Sequence, residues 1–181
     1  WAALDKGVSK QLQQQGLPVV GWNSLTYYWK KKSPQQVTTD LQRILDLYLP
    51  RWHRQRWALV GYSFGAEIVP FVINRLPSRY REQLVGGVML SPSTSSDFEI
   101  HISDMLSSNN QGSYLTAPEV ARIRDIPLLC VDGQDEPTTA QLCPQLKQDN
   151  VTTLQLPGGH HYNDDYVRLA ELIQSHFQPS H

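Results

Sequence analysis

The residues best suited to chemistry lie in Gly61-Tyr62-Ser63-Phe64-Gly65, a G-x-S-x-G pattern between one apolar run, Trp57 to Val60, and another, Ala66 to Phe71. A strand entering such a pattern and a helix leaving it form a sharp turn that lifts the serine hydroxyl clear of the sheet edge. Ser63 is therefore the candidate nucleophile. The backbone N–H of Phe64, at the head of the helix, is the candidate oxyanion donor. Gly61 and Gly65 are both expected to lack side chains for a steric reason, because strand and helix fold back on each other there. The competing reading is a glycine-rich turn holding an ordinary serine, and it loses most of its weight once strand and helix flank the pattern.

A serine hydroxyl attacks poorly until a base takes its proton and a carboxylate orients that base. Acid and base are expected downstream of the serine, the histidine last. Val131-Asp132-Gly133-Gln134-Asp135-Glu136 leaves an apolar run through a glycine turn, and Glu136 is the first choice for the acid. Asp135 is its close competitor, Asp132 reads as part of the strand end, and an ordinary surface acid is the plain alternative. Leu156-Pro157-Gly158-Gly159-His160-His161-Tyr162 places two histidines after a glycine pair, with His160 preferred as the base and His161 as a packing or capping neighbour. Asn163, Asp164 and Asp165 read as caps of a last helix, and Glu67 as a dipole-favoured charge in the first turns of the elbow helix. His53, His101, His176 and His181 have no partner pattern. Nothing resembles a metal-binding or phosphate-binding motif, so no cofactor is expected.

These residues need elements to carry them. Leu4, Val8 and Leu12 predict a helix over 2–15 ended by Gly16, and Leu17 to Trp22 reads as a buried strand. That strand opens into Asn23-Ser24-Leu25-Thr26-Tyr27-Tyr28-Trp29-Lys30-Lys31-Lys32, a loop at the sheet edge where ligands usually sit. Asn23, Ser24, Tyr62, His161 and Asp135 are the candidate substrate contacts. Aromatics beside lysines suit an anionic headgroup, whereas a solvated turn with its aromatics packed inward is the commoner outcome. A helix from Ser33-Pro34 to Pro50, strands over 84–90, 126–131 and 151–156, and a helix from about Asp164 to Phe177 complete an alternating pattern. The expected fold is a doubly wound, mostly parallel sheet with helices on both faces, in one domain over 1–181. Residues 91–113 form a long polar insertion.

With 181 residues, 40% of them hydrophobic, and a net charge of −1, the chain is long enough for a sizeable core and too nearly neutral for a bulk grip on nucleic acid. No apolar run has the length of a membrane span. The two cysteines, Cys130 and Cys143, flank the acid loop. A bridge between them would hold the carboxylate in place and contribute roughly 3 kcal/mol, and it implies an oxidising compartment. The alternative is a buried thiol at Cys130 and an unrelated Cys143.

Taken together, Gly21-Trp22-Asn23-Ser24-Leu25 with Tyr28-Trp29, the elbow through Ala66-Glu67 with Pro70-Phe71, Asn74-Arg75-Leu76-Pro77, Phe98-Glu99, the cysteine pair and Leu156 to Tyr162 make a joint pattern over nearly the whole chain. It resembles the VirJ/AcvB bacterial virulence protein domain. The resemblance implies an α/β-hydrolase fold, an exported, periplasmic location and a serine at Ser63. It also implies two roles, hydrolysis of aminoacylated phosphatidylglycerol, chiefly the lysyl form, and support of type IV secretion. The expected partners are thus a small-molecule or lipid ester, a membrane surface met transiently, and secretion-system proteins. For such an ester, the substrate ammonium is expected near Glu99, Asp135 or Asp165 and the phosphate near Lys30 to Lys32. The strand and Gly-rich loop that supply the second oxyanion donor in this fold are expected ahead of Trp1, where the sequence as given does not reach. Glu67 stands where family members often carry Asp.

Overall fold

The computed structural model describes residues 3–98, 113–139 and 141–177. Helix α1 (Ala3–Gln14) buries Leu4, Val8 and Leu12 on one stripe, as their four-residue spacing requires. It closes on Gly16, whose φ of +79° lets the Leu17 N–H turn back to the Leu12 carbonyl at 3.0 Å. A short helix α2 (Ser24–Tyr27) follows, its first turn capped by the Asn23 side chain. Helix α3 (Pro34–Arg51) starts with a reciprocal capping box between Ser33 and Gln36 and a proline in its first turn, both strong start signals.

Strand β1 (Trp57–Tyr62) runs into the elbow and helix α4 (Phe64–Ile73) out of it. A helical turn α5 (Ser78–Arg81) leads to β2 (Leu84–Leu90). The insertion begins and ends in a small antiparallel pair, β3 (Ser95–Ser96) with β4 (Tyr114–Leu115), and helix α6 (Thr116–Ala121) leads away from it. Strand β5 (Leu128–Gly133), a 3-10 turn at Cys143–Gln145, strand β6 (Val151–Leu156), a second 3-10 turn at Tyr162–Asp164 and helix α7 (Tyr166–Phe177) complete the order.

The main sheet has the order β1-β2-β5-β6, with every pair parallel. Alternate side chains divide between its two faces. Val88, Leu90, Leu129 and Val131 pack with α1 and α7, whereas Met89, Leu128 and Cys130 pack with α3, α4 and α6. Helix α4 is buried continuously from Ala66 to Ile73, which explains why its sequence is apolar all round. Among the described residues, no helix is long and apolar enough to cross a membrane.

Three expectations need correction. Residues 17–22 are not a buried strand: they carry no regular structure, and Leu17 and Val20 are 39% and 36% exposed. A parallel strand needs a neighbour's backbone, and β1, at the sheet edge, is laddered only to β2 among the described residues. Val60, on that edge strand, is 40% exposed. Strand β5 begins two residues later than expected, because Pro127 has no N–H for the ladder; its carbonyl accepts from Gly87 and pairing starts at Leu128. Helix α7 likewise starts at Tyr166, since Asn163 and Asp164 hold left-handed backbone at φ 52° and 59°.

Candidate active site

The C-terminal ends of the four parallel strands converge on one edge, and each delivers one part of the site. At the end of β1, Ser63 sits at φ 55°, ψ −123°, a conformation that non-glycine residues rarely adopt. The turn is held by a bond from the Ser63 N–H to the Leu90 carbonyl at 2.8 Å. A Cβ at Gly61 would overlap the backbone of Gly65, so the first glycine is sterically required. The expected clash at Gly65 does not occur: a Cβ there would meet nothing within 4 Å. The close approach is one-sided, with the backbone of Gly65 filling the space above Gly61. Phe64 opens α4, so its N–H is among the first-turn donors that have no partner within their own helix.

The loop after β6 brings His160 to the serine. Its Nε2 lies 2.8 Å from Ser63 Oγ, and its Nδ1 lies 2.7 Å from Glu136 Oε1, on the loop after β5. The imidazole is 41% exposed and the carboxylate 15%, so the base faces solvent while the acid lies behind it. Burial alone would raise the Glu136 carboxyl, but hydrogen bonds from His160, the Gly133 N–H and the Ser91 hydroxyl outweigh it and hold the group below the usual carboxylate range. The glycine turn before Glu136 is also sterically required, since a Cβ at Gly133 would overlap the backbone of Gly158 and Gly159. Acid loop and base loop are thus packed backbone to backbone.

The competing residues take other places. Asp135 is exposed, and its N–H donates to the Gly158 carbonyl at 3.0 Å. Asp132 is buried at the end of β5, where Oδ2 accepts the Cys143 N–H. Burial first, then the charge of Glu136, raises its carboxyl to about 6. His161 turns away from the serine: its Nδ1 lies 2.8 Å from the Tyr62 hydroxyl, which also reaches the His160 carbonyl at 3.2 Å. Asn23 is engaged in capping α2 through a bond from the Thr26 N–H, and Ser24 is part of that helix. Asp165 accepts the Arg168 N–H at the start of α7. Glu67 lies in the first turn of α4 as expected, and it is buried there, 7% exposed and bonded to Ser93 and Ser96; burial raises its carboxyl to about 7. Glu99, His101 and His181 lie outside the described residues.

Cys130 and Cys143 form a disulfide with a Cα–Cα distance of 5.5 Å, both residues almost fully buried. Gln141 reinforces the same loop, donating to the Glu136 carbonyl at 2.9 Å and the Gly133 carbonyl at 3.3 Å. On the other side of the serine, Trp22, Tyr27, Tyr28 and Phe64 form a chain of edge-to-face rings with centroids 4.6 to 4.8 Å apart. The aromatic loop therefore rests against the residue next to Ser63. Its outer side forms a recess of about 490 Å³ lined by Thr26, Tyr27, Trp29, Lys30 and Lys32, with Lys32 Nζ 4.9 Å from the Tyr27 ring. Among the described residues, no cluster of three or more His, Cys, Asp or Glu side chains could hold a metal ion.

Ser91 and Tyr162 are members of the site that sequence reasoning missed: the Ser91 hydroxyl lies 3.1 Å from Glu136 Oε2 and 2.7 Å from the Tyr162 hydroxyl. Position alone could have pointed to them, Ser91 as the first residue after a strand and Tyr162 as the second after His160, but no motif marks either.

A parallel sheet wrapped by helices on both faces, with a serine at the strand-to-helix turn and later strand ends brought beside it, defines the α/β-hydrolase fold. Solved structures agree. An α/β hydrolase from Vibrio vulnificus superimposes with a TM-score of 0.65 at 14% identity, covering 96% of this chain and 68% of its own. A meta-cleavage product hydrolase from Pseudomonas fluorescens gives 0.63 at 11%, covering 97% and 84%. A pyrethroid hydrolase from Sphingobium faniae gives 0.61 at 14%, covering 97% and 92%. Among curated proteins, none matches. The family described as bacterial virulence protein (VirJ) matches residues 1–180, and the chain belongs to it. A virulence family and a buried disulfide fit an exported protein.

Proposed function

We propose that this protein is a serine hydrolase of carboxylic esters. Ser63 is the nucleophile, His160 the general base and then acid, and Glu136 the group that fixes the imidazole tautomer and stabilises the imidazolium. The continuous contact from Glu136 Oε1 through His160 to Ser63 Oγ, at 2.7 and 2.8 Å, carries the reading. In acylation Ser63 Oγ bonds to the ester carbonyl carbon as its proton passes to His160 Nε2. The oxyanion receives the Phe64 N–H, and collapse of the adduct expels the alcohol with that proton. Water then enters by the reverse proton path and releases the acid. The structural neighbours include a thioesterase domain, a pyrethroid hydrolase and a putative non-heme bromoperoxidase, so the shared fold does not name the substrate.

The substrate we propose is an aminoacyl ester of an anionic lipid, the lysyl form of phosphatidylglycerol above all, met at the outer face of the bacterial inner membrane. The lysine-edged recess beside Trp29, which is 63% exposed, supports this, since aromatic rings suit an interface and lysines suit a phosphate. Asp135, exposed in the turn before Glu136, is the carboxylate we propose for the ammonium. The alternative role is a periplasmic adaptor for secretion that keeps a hydrolase scaffold, and fold alone does not separate the two.

A fluorophosphonate probe on the intact protein tests the enzyme: labelling at Ser63 that disappears in Ser63→Ala supports it, and no labelling in either favours the adaptor. Replacing Lys30, Lys31 and Lys32 with serine then tests the substrate. Turnover of the anionic lipid should fall while that of a small neutral ester holds, and equal loss on both would remove the headgroup role.

A further inference from the structure

Of the buried residues outside the triad that hold backbone conformations side chains rarely adopt, two reach Glu136 or its partner. Ser91, 3% exposed, sits at φ 47° directly after β2. Tyr162, 1% exposed, sits at φ 51° and begins three consecutive left-handed residues, with Asn163 at 52° and Asp164 at 59°. Such strain persists only where the surroundings hold it in place, and it collects at functional sites. Here both distortions bring a hydroxyl to the same point. Tyr162 Oη lies 2.7 Å from Ser91 Oγ and 2.8 Å from the Val131 carbonyl, and Ser91 Oγ lies 3.1 Å from Glu136 Oε2.

Counting protons gives the chain a direction. The Val131 carbonyl has no proton to give, so the Tyr162 hydroxyl donates to it at 2.8 Å, beside the Ser91 N–H at the same distance. The Ser91 hydroxyl is then the donor to both of its neighbours, Tyr162 Oη at 2.7 Å and Glu136 Oε2 at 3.1 Å. Burial raises the Tyr162 phenol well above its ordinary range, so it stays a donor. Glu136 Oε2 is then held by Ser91 and by the Gly133 N–H at 2.8 Å, which leaves Oε1 for His160.

We infer that Ser91 and Tyr162 are positioning residues for the proposed hydrolysis: Tyr162, fixed on the Val131 carbonyl, holds the Ser91 hydroxyl, which aims the Glu136 carboxylate at His160, and the two together lock the acid loop to the histidine loop. Tyr162 is only two residues from His160 in sequence, so one side chain ties the base to the acid's far oxygen. The inference rests on the hydrolase reading above. Neither residue touches the reacting atoms. The titratable groups facing Glu136 are His160, Asp132 at the end of β5, Tyr162, and Tyr62 at the end of β1. Of these Asp132 repels the carboxylate, and the Ser91 bond works against that repulsion.

The test is the rate of fluorophosphonate labelling at Ser63 as a function of pH, in Tyr162→Phe and Ser91→Gly. The first removes only a hydroxyl. The second removes the hydroxyl and leaves a residue at ease at φ 47°. Ser91→Gly takes a donor from the carboxylate and makes it more basic, so the coupled pair holds the imidazole proton more firmly and the acid limb moves to higher pH; Tyr162→Phe leaves the Ser91 proton to the carboxylate alone and moves the limb to lower pH. Ser91→Gly should also label about tenfold more slowly at the plateau, the worth of one hydrogen bond to a charged group. The double variant should behave as Ser91→Gly does, because Tyr162 acts on the carboxylate only through Ser91. A slower plateau with an unmoved acid limb, or an unchanged profile, in protein whose near-UV circular dichroism is native overturns the positioning role and leaves the hydrolase standing. If Ser91→Gly fails to fold, Tyr162→Phe decides. Wild-type protein that takes no label at any pH overturns the hydrolase reading, and this inference with it.

Discussion

At the scale of single residues, adjacent histidines are separated by what they touch. His160 meets Ser63 and Glu136, while His161 meets the Tyr62 hydroxyl. His160→Ala should lower kcat/KM on an ester by about a thousandfold or more, as loss of a triad base does. His161→Ala should lower it by less than about tenfold, the worth of one hydrogen bond. Equal losses in steady-state kinetics would mean that the base has been misassigned. Ser63, His160 and Glu136 were legible in the sequence because glycines mark all three turns, and the reason is visible at Gly61 and Gly133, where a side chain would strike backbone. Ser91 and Tyr162 were not legible, because a serine or tyrosine forced into left-handed backbone leaves no trace in composition or spacing. Glu67 stands in the first turn of its helix as its position in the sequence suggests, but its burial was not legible, because that depends on the serines of the insertion that bond to it.

At the scale of elements, the acid loop is the one most heavily anchored. Its disulfide joins the middle of β5 to the 3-10 turn at Cys143, and Gln141 bonds back to Gly133 and Glu136. Replacing both cysteines with alanine should lower stability by about 3 kcal/mol, the loop-closure contribution for a loop of this length. It should lower ester turnover as well. A urea midpoint that does not move would show that the loop is held by its hydrogen bonds alone. Strand and helix identities followed from periodicity wherever an element buries one face, as in α1 with Leu4, Val8 and Leu12. They failed at residues 17–22, whose apolar content suits a strand, because strand formation depends on a neighbour that local sequence does not describe.

At the scale of the whole molecule, buried acids set how stability follows pH. Glu67 is raised from 4.5 to about 7 and Asp132 from 3.8 to about 6, so the folded state binds their protons more tightly than the unfolded chain does. Their contribution is therefore full below about pH 4 and declines as pH rises toward 7. Glu136, held low, has the opposite sign, and its contribution is lost on acidification. Glu67→Gln should raise stability at pH 8 by up to about 3 kcal/mol and change it little at pH 4. Urea titrations at the two pH values check this, and a gain equal at both would assign the effect to packing.

The ladder that orders the sheet also runs beyond it: Ser63 N–H to Leu90, Ser91 N–H to Val131 and Gln134 N–H to Leu156, each at 2.8 Å, stitch neighbouring loops together. Alignment of the reacting groups is thereby a matter of strand register. A slip of one residue between any two neighbours would part them by about 3.3 Å, farther than a proton can be passed. Such a centre has no half-assembled form, and what a nascent chain completes when its last strand docks is the whole apparatus at once.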